Sequence, residues 1–142
     1  MTDTQAAAEH VAIQRVMLDY ARGVDERDMA LYRACFADDV EIVGFGAETV
    51  RGGDAWVAQV EGMLDGFVAT QHLLSPMRID IEGDTARTSS NVQAWHHLKS
   101  PADHTLTLWA CYESVLQKRD GRWRLTRHEL VSRGRELRPL NP

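Results

Sequence analysis

The chain has 142 residues, of which 44% are hydrophobic, and its 16 basic and 21 acidic residues give a formal charge of -5. This is enough for one sizeable core and too little for two, so we expect a single domain over residues 1–142. No Lys/Arg run is interleaved with aromatic residues, which argues against nucleic-acid binding. No segment approaches the roughly 20 apolar residues of a membrane span, which predicts a soluble, cytoplasmic protein without membrane contacts.

Apolar residues repeat at three-and-four spacing from Ile13 to Val24 and predict an amphipathic helix that ends at Gly23. Asp25 is placed to cap a second short helix that runs to about Phe36. After short strands at 40–43 and 48–51, a third helix begins at Gly52 and ends near Ala69.

Long strands separated by turn signals make up the rest of the chain, at residues 72–81, 85–98, 104–117 and 122–134. Consecutive strands with tight turns indicate an antiparallel sheet, and the tail 137–142 is predicted to be loose. Helices first and strands after are typical of an α+β domain in which a curved sheet wraps the helices.

Two cysteines, Cys35 and Cys111, lie in apolar surroundings on a predicted helix and strand. Neither belongs to a Cys-x-x-Cys pair or to a Cys/His cluster with zinc spacing. We interpret both as reduced core thiols, and no metal or cofactor is predicted.

Polar side chains in apolar surroundings are the candidates for chemistry: Tyr20, Asp25, His72 and His97. An imidazole paired with a carboxylate can act as a base near neutral pH. Asp25 can equally be a helix cap, and His72 a histidine satisfied within its strand. Period-two alternation puts His96 and His97 on opposite faces, so only one of them can face a cavity.

The chain resembles the nuclear transport factor 2-like superfamily, specifically its SnoaL-like and scytalone-dehydratase-like branch. Four pieces spread over nearly the whole chain carry the resemblance: Tyr20-x-x-x-x-Asp25-x-x-Asp28, Phe36-Ala37-Asp38-Asp39-Val40, Thr70-Gln71-His72 and Arg119-Asp120-Gly121-Arg122-Trp123. The resemblance implies a cone in which three N-terminal helices pack into a strongly curved mixed or antiparallel β-sheet.

Asp25 and His72 are similar to the aspartate and histidine that dehydratases of this branch and hexachlorocyclohexane dehydrochlorinase place together in their cavity. By that resemblance, His72 is the base and Asp25 its orienting partner. The dehydrochlorinase has a lysine where this chain has Tyr20, which argues against halide elimination, and Tyr20 resembles the tyrosine of bile-acid dehydratases. The resemblance favours His97 as a second catalytic histidine, with His96 as the alternative.

We therefore expect a cofactor-independent lyase that removes water from a hydroxylated cyclic or polyketide-like small molecule. An isomerase or a polyketide cyclase would share the first proton abstraction, and a non-catalytic ligand-binding or interaction subunit remains an alternative. If Tyr20 must stay protonated, activity should fall at alkaline pH. An apolar outer sheet face predicts a homo-oligomer, either a dimer or a trimer. The residues expected to bind substrate are Tyr112, Trp56, Met63, Leu64, Phe67 and Trp109.

Overall fold

The computed structural model describes residues 1–141. In this range the helices are α1 (Asp3–Asp25), α2 (Met29–Arg33) and α3 (Gly53–Leu64). The strands are β1 (Phe36–Val43), β2 (Val50–Arg51), β3 (Phe67–Leu74), β4 (Arg78–Glu82), β5 (Thr85–Leu98), β6 (His104–Arg119) and β7 (Arg122–Pro139). The predicted α+β class is confirmed.

The strands form one curved sheet in the order β2-β1-β7-β6-β5-β3, and β4 pairs with β5 beside β3. Strands β1 and β7 are parallel, whereas the other pairs are antiparallel. The sheet is therefore mixed, and its concave face wraps the helices as in the expected cone. The parallel pair joins strands far apart in the sequence, so hairpin signals do not reveal it.

The core lies between α1 and the concave face of the sheet, where Ile13, Met17 and Tyr20 of α1 are buried. Helix α2 approaches α1 closely at Gly23, because a Cβ there would lie 2.8 Å from the backbone nitrogen of Tyr32. This approach places the Tyr32 ring 5.0 Å from the Tyr20 ring, centroid to centroid. Gly23 thus brings two helices together beside the cavity described below.

Asp25 does not cap α2, contrary to the prediction. Helix α1 continues through Asp25, and the chain then turns at Arg27, whose φ is 60°. Asp28 is the N-cap, since its carboxylate accepts a hydrogen bond from the Leu31 N–H at 3.0 Å. The Asp25 carboxylate is consequently free to face the sheet.

Other predicted boundaries also differ from the structure. Helix α2 ends at Arg33 rather than near Phe36, and β1 begins at Phe36 rather than at residue 40. Helix α3 ends at Leu64 rather than near Ala69, because the chain turns at Asp65 and Gly66 before β3. The strand predicted at 72–81 is two strands, β3 and β4, with Pro76 in the break, where its missing N–H cannot join a ladder. The tail predicted to be loose extends β7 to Pro139, since Leu137 pairs with β6.

Candidate active site

A cavity of about 150 Å³ lies between the helices and the concave face of the sheet. Most of its wall is apolar or aromatic. The lining residues predicted from the sequence that do line it are Tyr20, Trp56, Met63, Leu64, Phe67, His72 and Tyr112. Trp109 was wrongly predicted to line it: it lies on the outer face of the sheet, paired with Gln93, and is 40% exposed.

Asp25 and His72 are in direct contact at one end of the cavity. Nδ1 of His72 lies 2.8 Å from Oδ1 of Asp25, and the His72 backbone N–H donates to Oδ2 at 2.7 Å. An ionised carboxylate only accepts, so Nδ1 carries the hydrogen in neutral His72 and Nε2 carries the lone pair. His72 lines the cavity, and Nε2 has no hydrogen-bond partner among residues 1–141. The open lone pair is thus available to a ligand.

The Asp25 carboxylate is also hydrogen-bonded to Thr70, which in turn contacts Arg27. The Thr70 hydroxyl donates to Oδ1 of Asp25 at 3.0 Å and accepts from Nη1 of Arg27 at 2.9 Å. Burial by itself raises the pKa of Asp25, but hydrogen bonds from the His72 ring, the His72 backbone and Thr70 outweigh it. The pKa of Asp25 is lowered, so the carboxylate is ionised at neutral pH.

His96, not His97, faces the cavity, which makes the preference for His97 wrong. The period-two alternation of β5 is unbroken, and His96 shares the buried face of Ala94 and Val92. His97 points to the opposite face, where Nε2 lies 3.9 Å from Oδ1 of Asp103. The family resemblance indicated a histidine near the end of β5. The alternation of side chains along β5 decides between His96 and His97.

The His96 ring lies 6.0 Å from the His72 ring, centroid to centroid. Its Nδ1 contacts the Leu106 carbonyl at 3.0 Å and therefore carries the hydrogen. Burial lowers the pKa of His96, the largest effect, while the Leu106 carbonyl partly opposes it. His96 is thus a neutral imidazole whose Nε2 can accept a hydrogen bond.

Three tyrosines, Tyr20, Tyr32 and Tyr112, cluster on the cavity wall. The Tyr20 ring lies 5.0 Å from Tyr32 and 5.4 Å from Tyr112, and Trp56 donates to the Tyr32 oxygen at 3.0 Å. Burial raises the pKa of Tyr112 to about 12 and raises that of Tyr20 well above its usual value. The cluster therefore stays protonated and can offer hydroxyl hydrogens to a ligand oxygen.

His128 is a fully buried residue of the site that the sequence did not identify. Its Nε2 lies 3.0 Å from the Tyr20 hydroxyl, and its Nδ1 lies 2.8 Å from Oγ of Ser114. Strict alternation along β7 from the buried Leu125 would place the Arg127 side chain on the inward face. A bulge at Thr126 shifts the alternation, because Leu116 pairs with Leu125 while Val115 pairs with Arg127. No local sequence signal marks that bulge.

Other features of the described chain lie apart from this arrangement. Within residues 1–141, no group of three or more His, Cys, Asp or Glu side chains could hold a metal ion. Also in this range, no helix is long and apolar enough to cross a membrane. An open groove of about 420 Å³ between α1, α2 and the β6–β7 turn contains none of the predicted catalytic residues.

A model of the SnoaL-like domain family matches residues 5–129, which is most of the chain. The chain belongs to the SnoaL-like family. The match includes every residue of the cavity except Leu130. Among proteins of curated function, none matches this SnoaL-like chain.

Solved structures similar to the SnoaL-like chain include two named as enzymes. A proposed scytalone dehydratase from Novosphingobium aromaticivorans is 30% identical, covering 100% of this chain and 97% of that chain, with a TM-score of 0.86. A hexachlorocyclohexane dehydrochlorinase from Novosphingobium barchaimii is 22% identical, covering 99% and 95%, also with a TM-score of 0.86. The second likeness establishes the fold alone, and both named activities are eliminations.

Proposed function

We propose that this SnoaL-like protein is a cofactor-independent lyase that removes water from an uncharged, hydroxylated cyclic ketone. The observation that carries the proposal is the ionised Asp25 on Nδ1 of His72, with Nε2 open to an apolar cavity. The carboxylate stabilises the imidazolium that forms when Nε2 takes a proton. The dehydratase name of the 30% identical structure supports an elimination.

In the proposed reaction, Nε2 of His72 takes the proton from the carbon next to the substrate carbonyl. The C–H electron pair forms the enolate, which then re-forms the carbonyl and expels the β-hydroxyl group. The His72 imidazolium returns its proton to that hydroxyl, so water leaves and His72 is neutral again. Positioned acid–base help of this kind is worth on the order of 10² to 10⁴ in rate.

His96 has a different part in this proposal. Its hydrogen is on Nδ1 and is donated to the Leu106 carbonyl, so its Nε2 has no hydrogen to give. It can accept a hydrogen bond from the substrate hydroxyl and hold that group near the His72 ring 6.0 Å away. We therefore assign to His96, rather than to His97, the orientation of the leaving group.

The tyrosine cluster is positioned to stabilise the enolate oxygen of the proposed reaction by hydrogen bonding. Tyr20, Tyr32 and Tyr112 all line the cavity and are buried. Their raised pKa values keep them in the hydrogen-bond-donating form. Donors aimed at a developing oxyanion in a water-excluded cavity are worth more than in water.

The cavity wall also supports the substrate class. Among the described lining residues there is no Lys, Arg, Asp or Glu, so a carboxylate or phosphate on the ligand would be buried without a countercharge. A largely apolar cavity of about 150 Å³ accommodates a benzene-sized molecule. The volume therefore favours one six-membered ring over larger fused systems.

Two assays test the proposal with defined probes. Dehydration of 3-hydroxycyclohexanone to cyclohexenone is followed by ultraviolet absorbance, and proton exchange at the α-carbons of cyclohexanone in D2O is followed by NMR. Exchange depends on the base but needs no leaving group, so exchange without dehydration would indicate an isomerase or cyclase. We expect the wild type to accelerate both reactions and His72→Gln to lose nearly all of the acceleration.

Equal rates for wild type and His72→Gln with both probes and with 3-hydroxy-1-tetralone, which adds one fused ring, would overturn the lyase proposal. His104→Gln is the matched control, because His104 is not part of the cavity and only contacts the Ala102 carbonyl.

A further inference from the structure

The buried contact between Tyr20, His128 and Ser114 has no part in the proton abstraction described above. His128 is 0% exposed, and Tyr20, Tyr112 and Phe45 pack against its ring with centroids 4.9, 4.6 and 5.4 Å away. It lies on β7 between β1 and β6, where it pairs with Ile42 and Ser114. The ring is therefore held in one orientation by three aromatic neighbours and two strands.

Neutral histidine has one N–H and one lone pair, so only one of the two hydroxyls at His128 can donate to its ring. Either Ser114 donates to Nδ1 and the Nε2–H donates to Tyr20, or Tyr20 donates to Nε2 and the Nδ1–H donates to Ser114. The first arrangement leaves the Tyr20 hydrogen free. The second ties that hydrogen to His128 and removes it from the cavity.

One observation favours the first arrangement. The only hydrogen-bond partner of the Ser114 hydroxyl among residues 1–141 is the His128 ring. If Nδ1–H were the donor, the Ser114 hydrogen would be buried without an acceptor, which is costly. The distances, 2.8 Å at Ser114 and 3.0 Å at Tyr20, both lie within hydrogen-bond range for this arrangement.

We propose that His128 is a positioning residue: Ser114 holds it as the Nε2–H tautomer, which donates to the Tyr20 oxygen and directs the Tyr20 hydroxyl hydrogen into the cavity. This inference rests on the proposed function for its catalytic consequence. In the cavity, the Tyr20 hydroxyl hydrogen can be donated to another tyrosine of the cluster or to the carbonyl oxygen of the substrate. The burial that lowers the pKa of His128 to about 3 keeps the ring neutral during this task.

Nitrogen NMR of the ligand-free wild type, labelled with ¹⁵N-histidine, tests the tautomer without any substrate. His128→Gln identifies the His128 signals by their loss. We expect Nε2 to give the signal of a protonated nitrogen and Nδ1 that of an unprotonated one. A protonated Nδ1 on His128 would overturn the inference, whether or not the protein dehydrates a ketone.

Kinetics separates positioning from a merely structural role. His128→Gln keeps an amide N–H that can donate to Tyr20, whereas His128→Met fills the space without a donor. We expect His128→Met to lower kcat for 3-hydroxycyclohexanone by about tenfold with little change in KM, less than the 10² to 10³ of a lost oxyanion donor. His128→Gln should recover most of that loss.

Equal kcat values for folded His128→Gln and His128→Met would contradict the positioning role. Circular dichroism establishes folding, and the tautomer measurement on the wild type stands if a variant fails to fold. A wild type that dehydrates no ketone but carries the Nε2–H tautomer would refute the proposed function and leave the hydrogen-bond arrangement intact.

Discussion

Asp25 holds His72 at two points, through the ring Nδ1 at 2.8 Å and through the backbone N–H at 2.7 Å. The two contacts use different carboxylate oxygens, so the plane of the carboxylate and the position of β3 are set together. The Asp25 side chain is 20% exposed and that of His72 is 10% exposed. The pair is thus mostly shielded from water, which strengthens the interaction between carboxylate and imidazole.

Replacing Asp25 with Asn should cost more than one hydrogen bond. The carboxylate accepts from Thr70 and from two groups of His72, but an amide has one oxygen and would direct its NH2 group at one of those donors. We expect kcat/KM for 3-hydroxycyclohexanone to fall on the order of 10²-fold, because the ring is misoriented and loses its countercharge. The matched control is Asp120→Asn in an exposed turn with φ 53°, which asparagine tolerates. Equal losses in both variants would contradict a special role for Asp25.

Thr70 should matter through Asp25 rather than through the substrate. Thr70→Val removes the donor to Asp25 and the acceptor for Arg27, whereas Thr70→Ser keeps both. A lost hydrogen bond to a charged group is worth about 1.5–3 kcal/mol, so we expect kcat to fall by tenfold or more in Thr70→Val. Steady-state kinetics should show little change in KM. A Ser variant as impaired as the Val variant would contradict the prediction, because Thr70→Ser keeps the hydroxyl that contacts Asp25.

His128 should make the folded protein less stable as the pH falls. Its pKa is lowered to about 3 in the folded state, whereas an unfolded histidine titrates near about 6.5. Between these values the unfolded chain binds a proton that the folded chain does not, so the free energy of unfolding falls by up to about 1.4 kcal/mol per pH unit. His96, whose pKa burial also lowers, acts in the same direction.

Urea denaturation at about pH 7.5 and pH 5 measures this loss, which His128 alone should make about 2 kcal/mol. Both pH values lie above the lowered pKa of Asp25, whose stabilising contribution is lost only in more acidic solution. His128→Gln should reduce the difference between the two pH values, and His104→Gln should leave it unchanged. An unchanged difference in His128→Gln would show that His128 is not the titrating group.

The alkaline loss of activity expected from Tyr20 should lie at much higher pH than its reference value suggests. Burial, helped by Tyr112 and Tyr32, raises the pKa of Tyr20 well above the usual value, and that of Tyr112 is raised to about 12. We expect kcat/KM to stay constant from about pH 8 to 10, where a free tyrosine begins to ionise. A decline in this range that disappears in Tyr20→Phe would refute the prediction.

The outer face of the sheet supports the homo-oligomer predicted from the sequence. Leu73 and Trp109 lie on either side of Gln93 in neighbouring strands and are 65% and 40% exposed. Burying them against a second copy of the chain would remove this apolar surface from water. We expect light scattering at micromolar concentration to give the mass of a dimer or trimer, and Trp109→Asp to lower it. Val11→Asp, at an exposed position of α1 away from the sheet residues Leu73 and Trp109, is the matched control. A monomeric wild type would contradict the prediction.

The order of helices and strands could be predicted from the sequence, because it depends on local patterns. Helix α1 buries one stripe at helical spacing, and β5 begins and ends at the predicted residues, since Gly83 and Pro101 mark the turns on either side. The alternation of side chains along β5 also puts His96, rather than His97, on the same face as the apolar Ala94 and Val92. The family resemblance brought Asp25 and His72 together before their contact was known.

Only the tertiary structure decided which side chains contact Tyr20 and His72 from outside the cavity. His128 faces inward because the pairing of β7 with β6 leaves an extra residue at Thr126, and a bulge of this kind is set by strand pairing rather than by the local sequence. The same holds for Asp25, whose position would suit a helix cap until β3 brings Thr70 and His72 within hydrogen-bond reach. Local patterns report which face of an element is apolar, whereas register and bulges depend on the strands that lie beside it.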